Sequence, residues 1–269
     1  MHTQIDRLGI ASIQDLNALP QEVRTACYSR LVPEELLAQF GIDRQTLTNA
    51  RGERLVRVTA PADKPWARVE VRASHEDRDP ALLVDVEMSP LSMPELAFVQ
   101  INDPAAPRYA IDRDADGQDT LFGTVSRNLA EEARALAAGL APGQVRRGLR
   151  RLKHVLHCMD EFCRLLKQEL YLIEPLFYHS AILYERGGCG YVIGREQMEE
   201  IDRGFAEHGP RSRRLDGSTP FRQPGFEKTV RGRSWAITDG MLSGPFAGMK
   251  MHKAPGRSAN VSTFPGGVY

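Results

Sequence analysis

The spacing of apolar residues changes several times along the chain, and each spacing predicts a different kind of element. Between residues 13 and 50 apolar residues recur at helical intervals, and a helix that starts at Pro33 is expected to end at Gly41. From residue 53 to residue 112 apolar and β-branched residues alternate with polar ones, and residues 108–111 continue this series. We therefore expect helices first and then an antiparallel meander of roughly three to five strands.

The second half of the chain alternates between helical periodicity and short apolar runs. Helices are predicted over residues 124–140, 144–168, 178–185 and 195–208. Strands are predicted over residues 170–173, 191–193, 234–238 and 248–252, and residues 254–269 are expected to form a loose tail. The pattern predicts an α/β fold with a mixed, mostly antiparallel sheet flanked by helices. Its expected parts are an N-terminal helical segment (1–52), an α/β domain (53–208) and a C-terminal extension (209–269).

Composition restricts the classes of partner. The chain has 269 residues, and its hydrophobic fraction of 42% is enough for a substantial core. The 35 basic and 35 acidic residues balance, so charge gives no argument for nucleic acid or an acidic membrane surface. No apolar run approaches the roughly 18 residues of a membrane span, and the N-terminus lacks the pattern of a secretory signal. The cysteines have no Cys-x-x-Cys spacing, so we expect reduced thiols in a cytoplasmic protein. The sequence does not decide whether the protein forms a homodimer.

Residues 170–194, LYLIEPLFYHSAILYERGGCGYVIG, are the most informative stretch. A predicted strand leads into a helix that carries Leu183, Tyr184 and Glu185, and Gly188 ends the helix before a second strand. This arrangement resembles the end of a GCN5-related N-acetyltransferase (GNAT) domain, which often reads Asn-x-x-Ala-x-x-Leu-Tyr-Glu-x-x-Gly-Phe. The Leu-Tyr-Glu triplet and the glycine match that pattern. Where the family has Asn, Ala and the final Phe, this chain has Phe177, Ser180 and Cys189.

The resemblance implies a fold and a reaction. The family core is a strand meander, then a strand, a loop and helix that bind the acyl-CoA pyrophosphate, a strand, a helix and a closing strand. It implies transfer of an acyl group from acetyl-CoA or another acyl-CoA to an amine of a small molecule or protein. Tyr184 would then donate a proton to the departing CoA thiolate, which is sensible chemistry for a phenol. The general base is not identified, and Glu174 and His179 are candidates.

The resemblance places the pyrophosphate loop at Gln144, Arg146, Arg147, Gly148, Leu149 and Arg150. In the family this loop reads Arg/Gln-x-x-Gly-x-Gly/Ala and stands at the start of a helix. The small residues let phosphate approach the N–H groups of that helix. Gly148 agrees, but Arg150 replaces the small residue, and a predicted helix stands where the feeding strand should be. Either the arginines bind phosphate directly, or CoA binding has been lost and the basic face is solvated. In the second case the chain is a GNAT-like binding or assembly module without transferase activity.

Two groups of residues contain side chains of the types that bind metal ions. Residues 112–117, DRDADG, resemble the first half of a calcium loop and equally an ordinary turn, because Gly123 stands where the loop needs Glu. On the predicted long helix, His154, His157, Cys158 and Glu161 lie near one face, which gives a metal-dependent enzyme as a third possible function. No second group of ligands is marked, so no metal cofactor is expected.

The C-terminal segment carries one further candidate. Trp235 with Arg231 or Arg233 could form a platform for a ligand, because guanidinium groups stack on aromatic rings. The alternative is a segment that docks on the domain and covers it.

Overall fold

The structure, a computed structural model, describes residues 10–269. Residues 1–9, over which the sequence predicts no secretory signal, lie outside it. Contacts between α-carbons divide the chain into two compact units. The first unit contains the described residues up to Pro104 together with Gly148–Glu174 and His252–Ser258. The second unit contains Ala105–Arg147, Pro175–Met251 and Ala259–Tyr269. Each unit is therefore assembled from separate stretches of the chain.

Helices and strands follow one another along the chain. The helices are α1 (Ile13–Asn17), α2 (Gln21–Tyr28), α3 (Glu34–Gln39), α4 (Leu129–Ala137), α5 (Leu152–Leu165), α6 (Tyr178–Arg186), α7 (Arg195–Phe205) and α8 (Val230–Ala236). The strands are β1 (Val56–Thr59), β2 (Trp66–Val71), β3 (Leu82–Met88), β4 (Pro94–Ile101), β5 (Tyr171–Ile173), β6 (Gly190–Ile193) and β7 (Lys250–Lys253). The strand order is β1-β2-β3-β4-β5-β7-β6, which confirms an α/β fold with a mixed sheet flanked by helices.

Strands β1 to β4 of the first unit form the predicted antiparallel meander. One face is buried, where Val69 of β2 pairs with Val84 of β3. The other face is polar, and Arg68 donates two hydrogen bonds of 2.7 Å to Asp85 across it. Alternation is clearest along β2, and it produces these two faces because successive side chains of a strand point to opposite sides.

The core of the second unit is built around its aromatic residues. Trp235 is fully buried, its indole N–H donates to the Leu140 carbonyl at 2.8 Å, and its ring stacks on Phe221 at 5.1 Å. The guanidinium of Arg127 lies 4.9 Å from the same Phe221 ring and pairs with Glu132. Trp235 thus holds α8 inside the second unit.

The predicted helix over residues 144–168 is wrong in its first part. The helix begins at Leu152, and Arg150 has a φ of 57°, which a right-handed helix does not allow. Val145 packs instead into an apolar cluster with Ile111, Ala135 and Leu140. The helical spacing of apolar residues continues from Val145 into α5 in the sequence, but Val145 packs in the second unit. The helix predicted over 124–140 is confirmed as the shorter α4, with Asn128 as its cap.

The strand predicted over residues 108–111 is also wrong. The Tyr109 amide donates to the Val145 carbonyl, and the Ala110 amide donates to the Glu131 carboxylate. Their backbone amides are therefore bonded to a loop carbonyl and to a side chain, and residues 108–111 do not pair with a strand.

Two predictions for the C-terminal region need correction. Residues 234–238 lie in α8 and the turn after it, because Thr229 caps this helix by accepting a hydrogen bond from the Gly232 amide at 3.0 Å. The expected loose tail lacks regular structure, yet Thr263 within it is buried and bonded to Glu185. The predicted strand near residues 248–252 is confirmed as β7.

Among residues 10–269, none of the helices combines the length and apolar character that crossing a bilayer requires.

Candidate functional site

The edge of β4 in the first unit is the best candidate for a binding surface. Strand β5 pairs with β4 in parallel only at Glu95 and Leu96, although β4 continues to Ile101. The pairing with β3 on the other side has a β-bulge, since Asp85 faces Phe98 and Val86 faces Leu96. Ala97 is the extra residue of the bulge, and bulges often re-aim a strand beside a binding site. Strand β4 therefore extends beyond Leu96 to Ile101, past the end of its pairing with β5.

The chain returns to the end of this edge at Gly148. A Cβ atom placed on Gly148 would lie 3.0 Å from the Ile101 carbonyl oxygen, so only glycine allows this close approach comfortably. The predicted helix does precede the loop in sequence, as α4. In space, the end of β4 lies beside Gly148, although residues 102–147 separate the two in sequence.

Helix α5 starts three residues after Leu149 with features that favour an anion. Its first turn has no acidic residue and no side-chain cap. The first N–H groups of a helix lack intrahelical partners and carry the positive end of the helix dipole. Arg150 and Lys153 are exposed here, and Arg151 Nε is buried without a hydrogen-bond partner in the described structure. Basic side chains therefore occur at the positive end of the helix dipole.

The six residues predicted for the pyrophosphate loop are divided between the units. Gly148, half-buried Leu149 and exposed Arg150 belong to the first unit. Gln144, Arg146 and Arg147 belong to the second unit. Gln144 accepts a hydrogen bond from the Ala141 amide at 2.8 Å, Arg146 donates to the Ala106 carbonyl, and Arg147 is exposed. The side chains of Gln144 and Arg146 are therefore hydrogen-bonded to the backbone of the second unit.

Tyr184 lies in α6 of the second unit and is only 6% exposed. Burial, followed by the nearby Cys189, raises the pKa of the Tyr184 phenol above its ordinary value. The phenol therefore keeps its proton at neutral pH. Its role as a general acid stays a prediction.

The candidate base His179 is also buried in the second unit. Its Nδ1 lies 3.0 Å from the Ser234 hydroxyl, and its ring stacks on Phe177 at 5.7 Å. Burial, followed by the positive charge of Arg231, lowers the pKa of His179 to about 3. The imidazole is neutral at physiological pH, while the second candidate, Glu174, is exposed.

The candidate metal ligands serve other contacts. His154 Nε2 lies 3.3 Å from the Glu35 carboxylate, and Glu161 pairs with Arg164. The DRDADG segment forms a turn in which Asp114 accepts hydrogen bonds from the Asp116 and Gln118 amides. Across the described part of the chain, no three His, Cys, Asp or Glu side chains are grouped so that they could hold a metal ion.

Two buried carboxylates were not singled out from the sequence. Asp160 of the first unit accepts hydrogen bonds from the Tyr171 hydroxyl and the Gly256 amide, each at 3.0 Å, and lies 3.9 Å from the Lys253 ammonium. Glu185 of the second unit accepts from Tyr191 and Thr263. Both join residues distant in sequence, so no local pattern could have revealed them.

In comparisons with known proteins, the chain matches no protein-family model, no curated protein and no solved structure.

Proposed function

We propose that the first unit binds an acyl-CoA, and that the protein is a divergent GNAT-like enzyme that transfers its acyl group to an amine of a small molecule or protein. The order of elements supports this proposal. The meander β1–β3 is followed by β4, the Gly148 loop with α5, then β5, α6 and β6. This is the order that the resemblance implies, with residues 102–147 as an addition.

The β4 edge carries the proposal. An extended ligand that contains amide groups can pair with the backbone of a strand edge, as an added strand does. Strand β4 runs past its pairing with β5, from Leu96 to Ile101, and we infer that the ligand lies along this part of the strand. The pantetheine arm of CoA is extended and has two amides, so its chemistry fits this edge.

The phosphate end fits the start of α5. Amide N–H groups and the positive end of a helix bind phosphate, and guanidinium forks suit phosphate oxygens. Arg150, Arg151 and Lys153 surround this helix start, and Gly148 joins it to the end of β4. Bound acyl-CoA supplies an activated thioester for attack by an amine.

A binding module without transferase activity is the second candidate function. The burial of Tyr184 favours it, because a general acid must reach the leaving group. The two candidates share acyl-CoA binding and differ in turnover. Tyr184→Phe is expected to leave binding unchanged and to abolish turnover only if the chain is an enzyme with this acid.

Titration of the full chain with acetyl-CoA tests the proposal. A ligand that binds only the native state adds about 2.7 kcal/mol of stability at 100 times its Kd, and this is visible as a thermal shift. Pantetheine, which lacks the phosphates, is expected to bind more weakly. A well-folded sample that shows neither a thermal shift nor heat of binding with acetyl-CoA would refute the proposal.

Two variants of α5 locate the phosphate. Lys153→Met, at the start of the helix, is expected to weaken acetyl-CoA binding by about tenfold, or about 1.4 kcal/mol, and to leave pantetheine binding unchanged. Lys167→Met is the matched control, because exposed Lys167 follows the C-terminal end of the same helix. Equal effects of both substitutions would contradict the placement of the phosphate at the helix start.

A further inference from the structure

A cavity in the second unit is lined by none of the residues used in the acyl-CoA proposal. It has a volume of about 220 Å³ and is lined by Leu136, Phe226, Thr229, Arg231, Gly232 and Tyr269. Its walls therefore combine apolar and aromatic groups with one cation and two hydroxyl-bearing side chains, Thr229 and Tyr269. Ligand sites usually have this composition, with a few polar groups that fix the orientation of the ligand.

Arg231 differs from the other arginines near α8. Arg233 pairs with Asp202 at 2.7 Å, and Arg222 pairs with Asp239 at 2.8 Å. Within residues 10–269 the Arg231 side chain has no carboxylate partner, and its Nε atom is buried without a hydrogen bond. A partly buried guanidinium without an anion is costly, so its place on a cavity wall points to an anionic ligand.

The surroundings of Arg231 hold its guanidinium in position. Its Cζ atom lies 5.2 Å from the centre of the Tyr269 ring, as in a cation–π contact. Its Nη1 lies beside Gly139, so close that a Cβ atom built on this glycine would be 3.4 Å away. Thr229 Oγ1 accepts from the Gly232 amide, so its hydroxyl proton is available to a second acceptor.

We propose that this cavity binds the carboxylate of a small aromatic or apolar acid through the guanidinium of Arg231. The single guanidinium matches a carboxylate, which accepts two parallel hydrogen bonds from one arginine. A phosphate dianion carries more charge than this single cation balances. The volume equals that of about seven liquid waters, which suits an acid of the size of benzoate.

Calorimetric titration of the full chain tests the proposal with benzoate, its neutral analogue benzyl alcohol and inorganic phosphate as probes. Benzoate is expected to bind saturably with a Kd below about 10 mM, and at least about tenfold more tightly than benzyl alcohol. Arg231→Met is expected to remove this preference. Arg195→Met, at an exposed arginine of α7, is the matched control and is expected to keep it.

A second variant keeps the test decisive if Arg231→Met does not fold. Leu136→Trp leaves the arginine in place and fills the cavity from half-buried Leu136, so it should abolish benzoate binding while circular dichroism stays native. Equal binding of benzoate and benzyl alcohol would overturn the proposal, as would tighter binding of phosphate. Saturable benzoate binding that survives Leu136→Trp, or no benzoate binding to the wild-type chain, would also overturn it.

Discussion

Replacing Glu185 by Ala is expected to destabilise the second unit strongly. The Glu185 carboxylate accepts hydrogen bonds from the Thr263 amide at 2.9 Å, the Thr263 hydroxyl at 2.5 Å and the Tyr191 hydroxyl at 2.6 Å. Glu185 and Thr263 are each 5% exposed, so water cannot easily replace these bonds. Alanine would leave the Thr263 amide buried without a partner.

The magnitude follows from the number and kind of these bonds. A hydrogen bond to a charged group contributes about 1.5–3 kcal/mol net, and an abandoned buried donor costs about 1–3 kcal/mol. The three bonds share one carboxylate and are not additive, and its removal also recovers the cost of burying a charge. We therefore expect Glu185→Ala to cost about 3 kcal/mol. Glu185→Gln should cost about half as much, because the hydroxyls can turn and accept from the amide.

Urea unfolding measures this difference. The chain has two tryptophans, so a Trp66→Phe background leaves buried Trp235 as a fluorescence reporter of the second unit. A double-mutant cycle with Thr263→Val should give a coupling of about 1–3 kcal/mol. Glu199→Ala, which removes a solvent-exposed ion pair in α7, is the control and should cost less than about 1 kcal/mol.

Two results would refute this reasoning. One is a loss of less than about 1 kcal/mol for Glu185→Ala. The other is a coupling of zero between Glu185 and Thr263, which would mean that the carboxylate does not anchor the C-terminal segment.

Three further predictions concern pH, thiol reactivity and backbone conformation. Because His179 has a folded-state pKa of about 3 and an ordinary unfolded value, only the unfolded state binds its proton between pH 6.5 and 3. Stability should therefore fall by about 1.4 kcal/mol per pH unit over this range as pH decreases, and urea titrations of His179→Leu should lack this contribution. Burial raises the pKa of the Cys158 thiol from 9.0 to about 11, so its alkylation rate at pH 8 should be about a hundredfold lower in the folded chain than in urea; equal rates would contradict this. Gly194→Ala should cost more stability in urea than Gly225→Ala: both have positive φ, but only at Gly194 would the new Cβ meet Met249, at 2.7 Å.

Elements with local causes could be predicted from the sequence. The meander β1–β4 follows from alternation in β2 and from apolar, β-branched residues in the other strands. Helix α3 follows from an early proline and from Gly41, a glycine with positive φ just beyond its end. The segment around Trp235 resembled a strand because Trp235, Ala236 and Ile237 form a short apolar run between Ser234 and Thr238. Its helix depends on the Thr229 cap, whose signal is a single hydroxyl residue among many in this region.

The candidate site was only partly predictable for a physical reason. Gly148 was identified by its place in a motif, but its closeness to Ile101 was not, because residues 102–147 separate the two in sequence. The β4 edge was not predicted either. It exists because the pairing with β5 ends after Leu96, and no residue type in β4 marks that point.

The Asp160 cluster has a consequence for synthesis on the ribosome. Asp160 and Tyr171 leave the exit tunnel together, but Lys253 and Gly256, which complete the same cluster, are made about 80 residues later. Until then the Asp160 carboxylate lacks both its cation and one of its donors. Most of the first unit is therefore translated early, but the unit cannot be completed until residues 252–258 have been made. We expect nascent chains that stop before residue 252 to remain open to proteases at α5, where the completed protein is closed.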